Sequence, residues 1–245
     1  MLGMEKSMTP EVKGRIQAFL LILIVVAGVR TGWILWQRHS DQQQSKAQKQ
    51  NAPLNPDYYV TPKKLYPYDL KSAKQLTQQP LWVKEGYKYT CYPYNPATHH
   101  TDFEHDAGTL GPLEKLKVTD VVLDTSPEKG QKQVMAVFER DGKHYAFPIG
   151  LNVGGDYKIY SDEIFFYQDP KELYKHWPAD VWSAIDNHQV KPGMNELQAD
   201  FAIGMGRPES SGDSDKVVNY PNGGKPLTVI YRNGKAVEVK PGTPS

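Results

Sequence analysis

Cysteine is almost absent from this chain of 245 residues, which contains only one, Cys91. A single thiol cannot form an intramolecular disulfide, so no disulfide framework holds the protein together. Cytosolic domains often carry several free thiols, and the scarcity of cysteine therefore leans slightly towards an exported domain. The 15 tyrosines and 19 prolines are more typical of short strands and irregular loops than of a helical bundle.

An excess of charge of either sign is also lacking. The 29 lysines and arginines nearly balance the 28 aspartates and glutamates, and the basic residues are scattered rather than gathered in a stripe. Without a basic patch there is nothing to neutralise a phosphate backbone. We therefore expect no nucleic acid among the partners.

The sequence has none of the short motifs that mark common active sites. No Gly-x-Gly-x-x-Gly or Walker lysine indicates a phosphate-binding loop, and no Gly-x-Ser-x-Gly surrounds a serine. The neighbours of Cys91 are tyrosines and prolines, not the start of a helix that would activate the thiol. We expect a protein without catalytic residues, without a cofactor and without a small-molecule substrate.

One segment concentrates side chains that could bind a metal. It carries a thiol, three imidazoles and three carboxylates, from Cys91, His99, His100, Asp102, Glu104, His105 and Asp106. Their spacing matches no familiar zinc motif, and adjacent histidines in an extended segment rarely both point inward. A solvated loop is the simpler interpretation. If a metal binds, we expect His99, Asp102 and His105 to be the ligands.

Residues 16–36 form a long apolar run. As a helix this run would span about 30 Å, the thickness of a bilayer's hydrocarbon core. Arg30 lies close enough to the C-terminal end for its side chain to reach the headgroups. Trp33 and Trp36 suit the aromatic belt at the same interface. We predict a single transmembrane helix that anchors the chain.

A cleaved signal peptide, with residues 18–29 as its apolar region, is the alternative to an anchor. No convincing small-x-small cleavage site follows it, and no lipobox cysteine is present. Basic residues are equally frequent on both sides, so the positive-inside rule does not fix the direction. Because a short leader before one apolar run usually enters as a signal anchor, we predict that residues 1–15 are cytoplasmic. The C-terminal domain would then be extracytoplasmic, in the periplasm of a cell envelope.

Residues 37–57 are rich in glutamine and contain almost nothing able to enter a core. Such a stretch cannot offset its ordering entropy, so we predict a flexible polar linker.

Aromatic residues become dense after this linker. Nine of them follow within a short stretch: Tyr58, Tyr59, Tyr66, Tyr68, Trp82, Tyr87, Tyr89, Tyr92 and Tyr94. They either cover the seams of a small core or form a rigid contact patch for another protein. The candidate partner-binding residues are Tyr66, Tyr68, Trp82, Tyr92 and Tyr94.

Residues 58–168 are predicted to form a β-rich subdomain with a loop-rich, aromatic beginning. Candidate strands cover residues 87–92, 117–123, 133–138, 143–147, 157–160 and 163–167. Asp141-Gly142 is a strong signal for a two-residue hairpin. Short antiparallel strands of this kind favour a small barrel, for example an SH3-like one, or a curled sheet.

Residues 169–245 are predicted to place helices on a three-stranded antiparallel meander, which makes the fold class α+β. Candidate helices cover 170–176 and 178–188, with Pro178 at the first helical position, and another begins at Asn195. Candidate strands cover 216–220, 227–231 and 236–240, and Asn233-Gly234 is the strongest hairpin signal of the chain. Trp177 and Trp182 are expected to pack the helices onto the sheet.

The C-terminal pattern resembles that of a known family. The run Val190-Lys-Pro-Gly193-Met194-Asn195-Glu-Leu-Gln, the apolar helix that follows, Gly206-Arg-Pro208 and the Asn-Gly hairpin resemble the SmpA/OmlA (BamE-like) envelope proteins. That family shares its fold with the β-lactamase inhibitor protein. The resemblance covers about a quarter of the chain. It departs in having Asn195 for the usual threonine, a longer interval before Gly206, and a transmembrane run in place of a lipidated cysteine.

The resemblance implies a non-enzymatic, partner-binding module of the cell envelope, and outer-membrane assembly is the task of the best-known members. The expected partners are the lipid bilayer and other membrane or envelope proteins. A second hypothesis is a single-span accessory subunit of a larger membrane complex, because Gly28 and Gly32 are spaced like a helix-packing face. A third is a metal-binding protein that uses residues 91–106.

Overall fold

The computed structural model describes residue 28 and residues 30–38, 55–127, 131–209 and 215–243. The chain divides into two compact units, Met1–Asn55 and Pro56–Ser245. In the first unit, residues 30–38 are helical (α1), and Trp33 and Trp36 are both exposed. Among the residues that the structure describes, no helix is both long and apolar enough to cross a membrane. Residues 1–27 and 39–54 lie outside the described ranges, so the leader, the anchor and the linker stay predictions.

The second unit is a mixed α+β fold with antiparallel sheets, as predicted. Its described helices are α2 (Leu70–Ala73), α3 (Ser161–Ile164), α4 (Pro170–Leu173), α5 (Ala179–Asp186) and α6 (Glu196–Ile203). Its described strands are β1 (Leu81–Val83), β2 (Tyr92–Asn95), β3 (His100–Thr101), β4 (Lys115–Leu116), β5 (Val118–Thr125), β6 (Lys132–Arg140), β7 (Lys143–Val153), β8 (Asp156–Ile159), β9 (Phe165–Phe166), β10 (Arg207–Pro208), β11 (Asp215–Tyr220), β12 (Leu227–Arg232) and β13 (Lys235–Pro241). Short 3-10 turns lie at Pro56–Tyr59, Lys74–Gln78 and Asn222–Gly224.

The largest sheet has the order β3-β2-β7-β6-β5, and β8 pairs with β7. The predicted hairpin at Asp141-Gly142 is confirmed, since both residues have positive φ, 53° and 71°, as a type I′ turn requires. The edge strands β3 and β5 meet through a side chain: the backbone N–H of Thr101 donates to Asp124 over 2.6 Å. The structure is therefore a curled sheet, not a barrel closed by a strand ladder.

Two of the predicted strands in this region are wrong. Residues 87–92 do not form a strand, because Tyr87 has a φ of 63° and the ladder begins only at Tyr92. Residues 163–167 are split between the end of α3 and the two-residue strand β9. Strand β9 joins β1 and β4 in a separate three-stranded sheet that the sequence did not predict.

The C-terminal strands form a four-stranded sheet in the order β10-β11-β12-β13. The predicted meander is confirmed, with the short strand β10 added at its edge. Asn233 and Gly234 again have positive φ, 50° and 73°, at the predicted hairpin. Pro178 is the N-cap of α5 rather than its first residue, and Pro170 occupies the first position of the shorter helix α4.

Two main cores fill the second unit. The first lies between the curled sheet and the segment that contains α2, where Val134, Ala136 and Phe138 of β6 are fully buried. Met135 and Val137 of the same strand face a smaller cluster on the opposite side. The second main core lies between α5, α6 and the C-terminal sheet. Both faces of β6 are therefore covered, which is why its apolar residues are consecutive.

Residues 56–69, here called the strap, run along both cores. Val60 packs against the second core and Leu65 against the first. The backbone N–H groups of Lys63 and Leu65 donate to Gln168 and Asp162 over 2.9 and 2.8 Å. The folded unit therefore begins at Pro56, two residues earlier than the predicted start at residue 58.

Candidate functional site

A groove of about 520 Å³ opens beside two tryptophans, Trp82 and Trp182. One wall consists of Trp82 and residues 111–114, and the other consists of residues 169–171 and the C-terminal half of α5. Both indoles are half-buried, so each has one side in the protein and part of the other open to the groove. The groove is the candidate site because it combines rigid aromatic surface with charged rims.

The first wall is held by the three-stranded sheet of β4, β1 and β9, here called the small sheet. Trp82 lies in the middle strand, paired with Lys115 of β4 on one side and Phe166 of β9 on the other. Val83 N–H donates to the Glu114 carbonyl, and Leu113 N–H donates to the Val83 carbonyl, over 3.1 and 3.0 Å. These bonds fix the loop 111–114 against β1, so the indole and the loop form one rigid surface.

The second wall is held by the start of α4 and by α5. The Asp169 side chain caps α4 by accepting from Lys171 N–H over 2.9 Å. Trp182 and Asp186 are four residues apart on α5 and therefore share a face. The Lys171 ammonium bonds to Asp186 over 2.8 Å and lies 5.8 Å from the centre of the Trp182 ring. Trp177 packs against Trp182, with ring centres 5.3 Å apart.

The groove lining carries three carboxylates, those of Glu114, Asp169 and Asp186, and the Lys171 ammonium, and further positive charge lies beside it. Glu114 accepts from Arg140 over 2.6 Å, and the Lys115 ammonium lies 5.2 Å from the centre of the Trp82 ring. A ligand therefore meets aromatic surface flanked by both signs of charge, not a field of one sign. This arrangement favours a neutral, amphipathic ligand over a polyanion or a polycation.

Two residues that line the groove have backbone conformations unusual for their type. Leu113 has a φ of 51° and His188 a φ of 53°, a region that L-residues with large side chains rarely adopt. The Nδ1 of His188 donates to the Ala202 carbonyl over 3.0 Å, which holds the ring in place. Unfavourable backbone of this kind persists where the surroundings impose it, and it is concentrated at functional sites.

Of the five predicted partner-binding aromatics, only Trp82 lines the groove. Tyr66 and Tyr68 lie on the strap and are each 76% exposed. Tyr92 packs on Phe103 with ring centres 5.3 Å apart. Tyr94 is 7% exposed and belongs to the small cluster behind the curled sheet, so most of its side chain packs inside the protein.

The predicted metal ligands do not converge. His105 Nδ1 donates to Asp102 over 2.8 Å, whereas His99 Nδ1 lies 3.2 Å from the hydroxyl of Tyr94. Among residues 55–127, 131–209 and 215–243, no group of three such side chains is placed to hold a metal ion. Cys91 is fully buried, and burial raises the pKa of its thiol to about 12. A nucleophilic thiolate is therefore disfavoured at this position.

The residues that carry the family resemblance have structural roles. Gly193 has a φ of 91°, and its N–H donates to the Ala236 carbonyl, which joins the turn to β13. Asn195, where a helix was predicted to begin, is the N-cap of α6 and exchanges hydrogen bonds with Gln198 in a capping box. Gly206 lies where a Cβ atom would be 2.3 Å from Val218, and Pro208 forms part of β10.

Asp57 is an interaction centre that the sequence did not indicate. Its side chain accepts from His176 Nε2, Trp177 Nε1 and Asn195 Nδ2 over 2.6, 2.7 and 3.0 Å. The acceptor ties the start of the strap to α6 and to the tryptophan that supports the groove. Because Asp57 is more than a hundred residues away from these donors, no local pattern reveals it.

Trp182 packs against the second main core, as expected, and it also lines the groove, which sequence analysis did not indicate. It was expected to pack the helices onto the sheet, as the buried Trp177 does. The i, i+4 spacing of Trp182 and Asp186 was the available signal, since it places an indole and a carboxylate on one face of a helix.

Comparison with family models, with curated proteins and with solved structures gave no match for this chain. The resemblance to the SmpA/OmlA proteins therefore remains a prediction, and the function has to be argued from the site itself.

Proposed function

We propose that this chain is a non-catalytic, membrane-anchored scaffold module that binds another envelope protein on the extracytoplasmic side. The groove between Trp82 and Trp182 holds an extended segment of that partner. The observation that carries the proposal is the pair of half-buried indoles that face one groove, each with a lysine ammonium 5.2 to 5.8 Å from its ring centre.

Tryptophan contributes strongly to protein interfaces because it buries a large area at a small entropic cost. Both indoles are already immobilised, Trp82 by the small sheet and Trp182 by Trp177. Binding therefore requires little further ordering of the groove. The balanced rim favours a segment with apolar side chains at its centre and charges of both signs at its ends.

Membrane anchoring is supported by the apolar run 16–36 and by its aromatic and basic C-terminal end. The SmpA/OmlA resemblance supports a place in envelope or outer-membrane assembly. Tethering would raise the effective concentration of the groove for partners in the same membrane.

The test is site-specific photocrosslinking of the full-length protein in its native membranes. A photoreactive aromatic residue, which keeps a large ring in the groove, replaces Trp82 in one variant and Trp182 in another, and the same partner should be captured from both walls. Val153 is the matched control, because it is 56% exposed and does not line the groove. Trp182→Ala should abolish recovery of the partner after mild detergent extraction. Capture of different proteins from the two walls, or equal capture from Val153, contradicts the proposal.

A single-span accessory subunit is the second candidate. A Cβ atom built on Gly28 or on Gly32 meets no atom of a described residue within 4 Å, which leaves room for a neighbouring helix to approach. Stoichiometric recovery with an integral membrane complex that depends on Gly32, but not on Trp182, would favour this candidate over the groove. Release of the full-length chain by a high-salt wash would contradict both.

A further inference from the structure

The strap has two unlike sides. Its inner side is fixed by Asp57 at one end and by Asp69 at the other, where the Asp69 carboxylate caps α2 by accepting from Ser72 N–H over 2.6 Å. Between them, Val60 and Leu65 enter the two cores. Pro62 and Pro67 restrict the backbone further. The strap is therefore an ordered ribbon and not a loose continuation of the linker.

The outer side of the strap displays tyrosine. Four hydroxyphenyl groups are 68% to 80% exposed, those of Tyr58, Tyr59, Tyr66 and Tyr68. They account for four of the twelve large apolar side chains that are exposed among the described residues. An exposed aromatic cluster on an ordered segment is typical of an interaction surface.

The charge on this outer side is positive. Lys63 and Lys64 are exposed, and neither has a carboxylate within ion-pair distance among the described residues. The two carboxylates of the strap are occupied elsewhere, Asp57 by three donors of the C-terminal part and Asp69 by the cap of α2. The outward surface consequently combines phenol rings with uncompensated ammonium groups.

We infer that the outer side of the strap lies on the anionic headgroups of the bilayer in which the chain is anchored. This inference rests on the membrane anchor of the proposed function, but it does not depend on the groove. Tyrosine partitions to the membrane–water interface because its ring is apolar and its hydroxyl is hydrated. Lysine adds attraction to anionic lipid, and its alkyl stem tolerates the same depth.

Chain length supports a lipid partner over a distant protein. Residues 37–55 separate the predicted anchor from the strap, and even fully extended they reach at most about 65 Å. The strap is the first part of the folded unit after that connection, so the connection allows it to reach the surface of the bilayer. The surface with the composition of an interfacial segment is thus the one that directly follows the connection to the predicted anchor.

The test places an environment-sensitive fluorophore on the strap of the full-length protein in lipid nanodiscs. Tyr66→Cys provides the labelling site, since the native Cys91 is fully buried and does not react. Val153→Cys, on β7 outside the strap, is the matched control. Discs of phosphatidylcholine alone are compared with discs in which phosphatidylglycerol replaces part of it. The Lys63→Gln/Lys64→Gln variant removes the charge and keeps the tyrosines.

A blue-shifted, quencher-protected emission from position 66 on anionic discs, with no change from position 153, is the expected result. Each lysine should contribute roughly a fivefold preference for the anionic surface, so the double variant should lose most of the protection. Solvent-like emission from position 66 on both kinds of disc overturns the inference while leaving the anchor in place. Protection that arises only when an envelope protein is added overturns it in favour of a protein contact. A chain that fails to enter the discs overturns the anchor itself.

Discussion

The two main cores differ in how far apart in sequence their parts lie. The second core is built mainly from consecutive elements, from α4 to β13, together with Val60, Trp82, Leu113 and Phe166 from earlier in the chain. The first core combines the consecutive hairpins β5 to β8 with β1, whose two neighbours in the small sheet, β4 and β9, lie well apart from it in the chain. Local contacts form early and can be read from sequence patterns, whereas long-range pairing depends on the completed fold. We therefore expect the C-terminal part, residues 169–243, to be destabilised most by substitutions within a single element. The β-rich part, residues 58–168, should be destabilised most by substitutions that disturb the pairing of strands.

Phe201→Ala should be the most damaging single change in the C-terminal part. The ring of Phe201 is 3% exposed and has three aromatic neighbours, Phe166, Tyr174 and Trp177, with centres 5.2 to 5.5 Å away. Truncation leaves a cavity among rings that cannot collapse together, so we expect a loss of about 3 to 5 kcal/mol in the free energy of unfolding. Urea unfolding followed by tryptophan fluorescence measures it. Phe201→Leu is the control, and an equal loss for both variants would show that volume is not the cause.

The C-terminal part shows what sequence analysis can achieve. Asn195 and Gln198 form a capping box within four residues, and Asn233-Gly234 determines a hairpin within two. Each signal is complete within one short segment, so no tertiary information is needed. The same holds for Asp141-Gly142 in the β-rich part.

The small sheet shows where sequence analysis fails. Strands β4 and β9 have two residues each, too few for any periodic pattern, and they are strands only because β1 lies between them. The second wall of the groove was also missed, because its position depends on tertiary packing rather than on a local pattern. Trp82 was identified, but the exposure of Trp182 depends on Trp177 occupying the buried position behind it. Asp57 could not be predicted, because its donors come from distant residues.

The substitution Gly150→Ala would test how strongly the β-rich part depends on the close pairing of β7 with β8. The added Cβ atom would lie 2.3 Å from the carbonyl oxygen of Lys158 in the neighbouring strand, and that backbone atom cannot move without loss of the ladder. We expect Gly150→Ala to cost about 3 kcal/mol, and Gly206→Ala, which meets the Val218 and Tyr220 side chains, to cost about half as much. Thermal unfolding compares them. A larger effect at Gly206 would reverse the expected contrast between the two parts.

Asp57→Ala should loosen the strap where it meets the C-terminal part. The change leaves the donors of His176, Trp177 and Asn195 without this acceptor, at a cost of about 2 kcal/mol. Amide hydrogen exchange over residues 58–65 should accelerate, because this end of the strap then lacks its three side-chain hydrogen bonds to the C-terminal part. Asp69→Asn is the control at the other end, since asparagine is an equally good N-cap. Unchanged exchange in Asp57→Ala would show that apolar contacts hold the strap without the carboxylate.

The buried carboxylate of the β-rich part, Asp124, should stabilise the fold at neutral pH. Burial alone would raise its pKa, but the N–H groups of Thr101 and Thr125 donate to it over 2.6 and 2.7 Å and the net effect is a lowered pKa. Its contribution is therefore present above the unfolded pKa near 4 and is lost as the pH falls through the lower folded value. We expect Asp124→Asn to cost about 2 kcal/mol at pH 7 and progressively less below pH 4. A loss that does not change with pH would assign the effect to shape rather than charge.

Asp200 on α6 should behave in the opposite way. Burial raises the pKa of its carboxyl group to about 7, despite hydrogen bonds from Gly206 N–H and the Tyr220 hydroxyl. The protonated form is favoured in the folded state, so stability is greatest at low pH and declines as the pH rises from about 4 through 7. Asp200→Asn removes this decline, and the variant should be more stable than the parent by a few kcal/mol at pH 8 and equal to it at pH 4. The free energies of unfolding of variant and parent, measured across that interval, should therefore diverge with rising pH. Those of Asp124→Asn and its parent instead converge as the pH falls.

Parallel stability curves for Asp200→Asn and the parent would mean that the carboxyl group is ionised in the folded protein throughout. In that case Lys216 and the two hydrogen bonds would outweigh burial, and the C-terminal part would hold its buried acid as the β-rich part does.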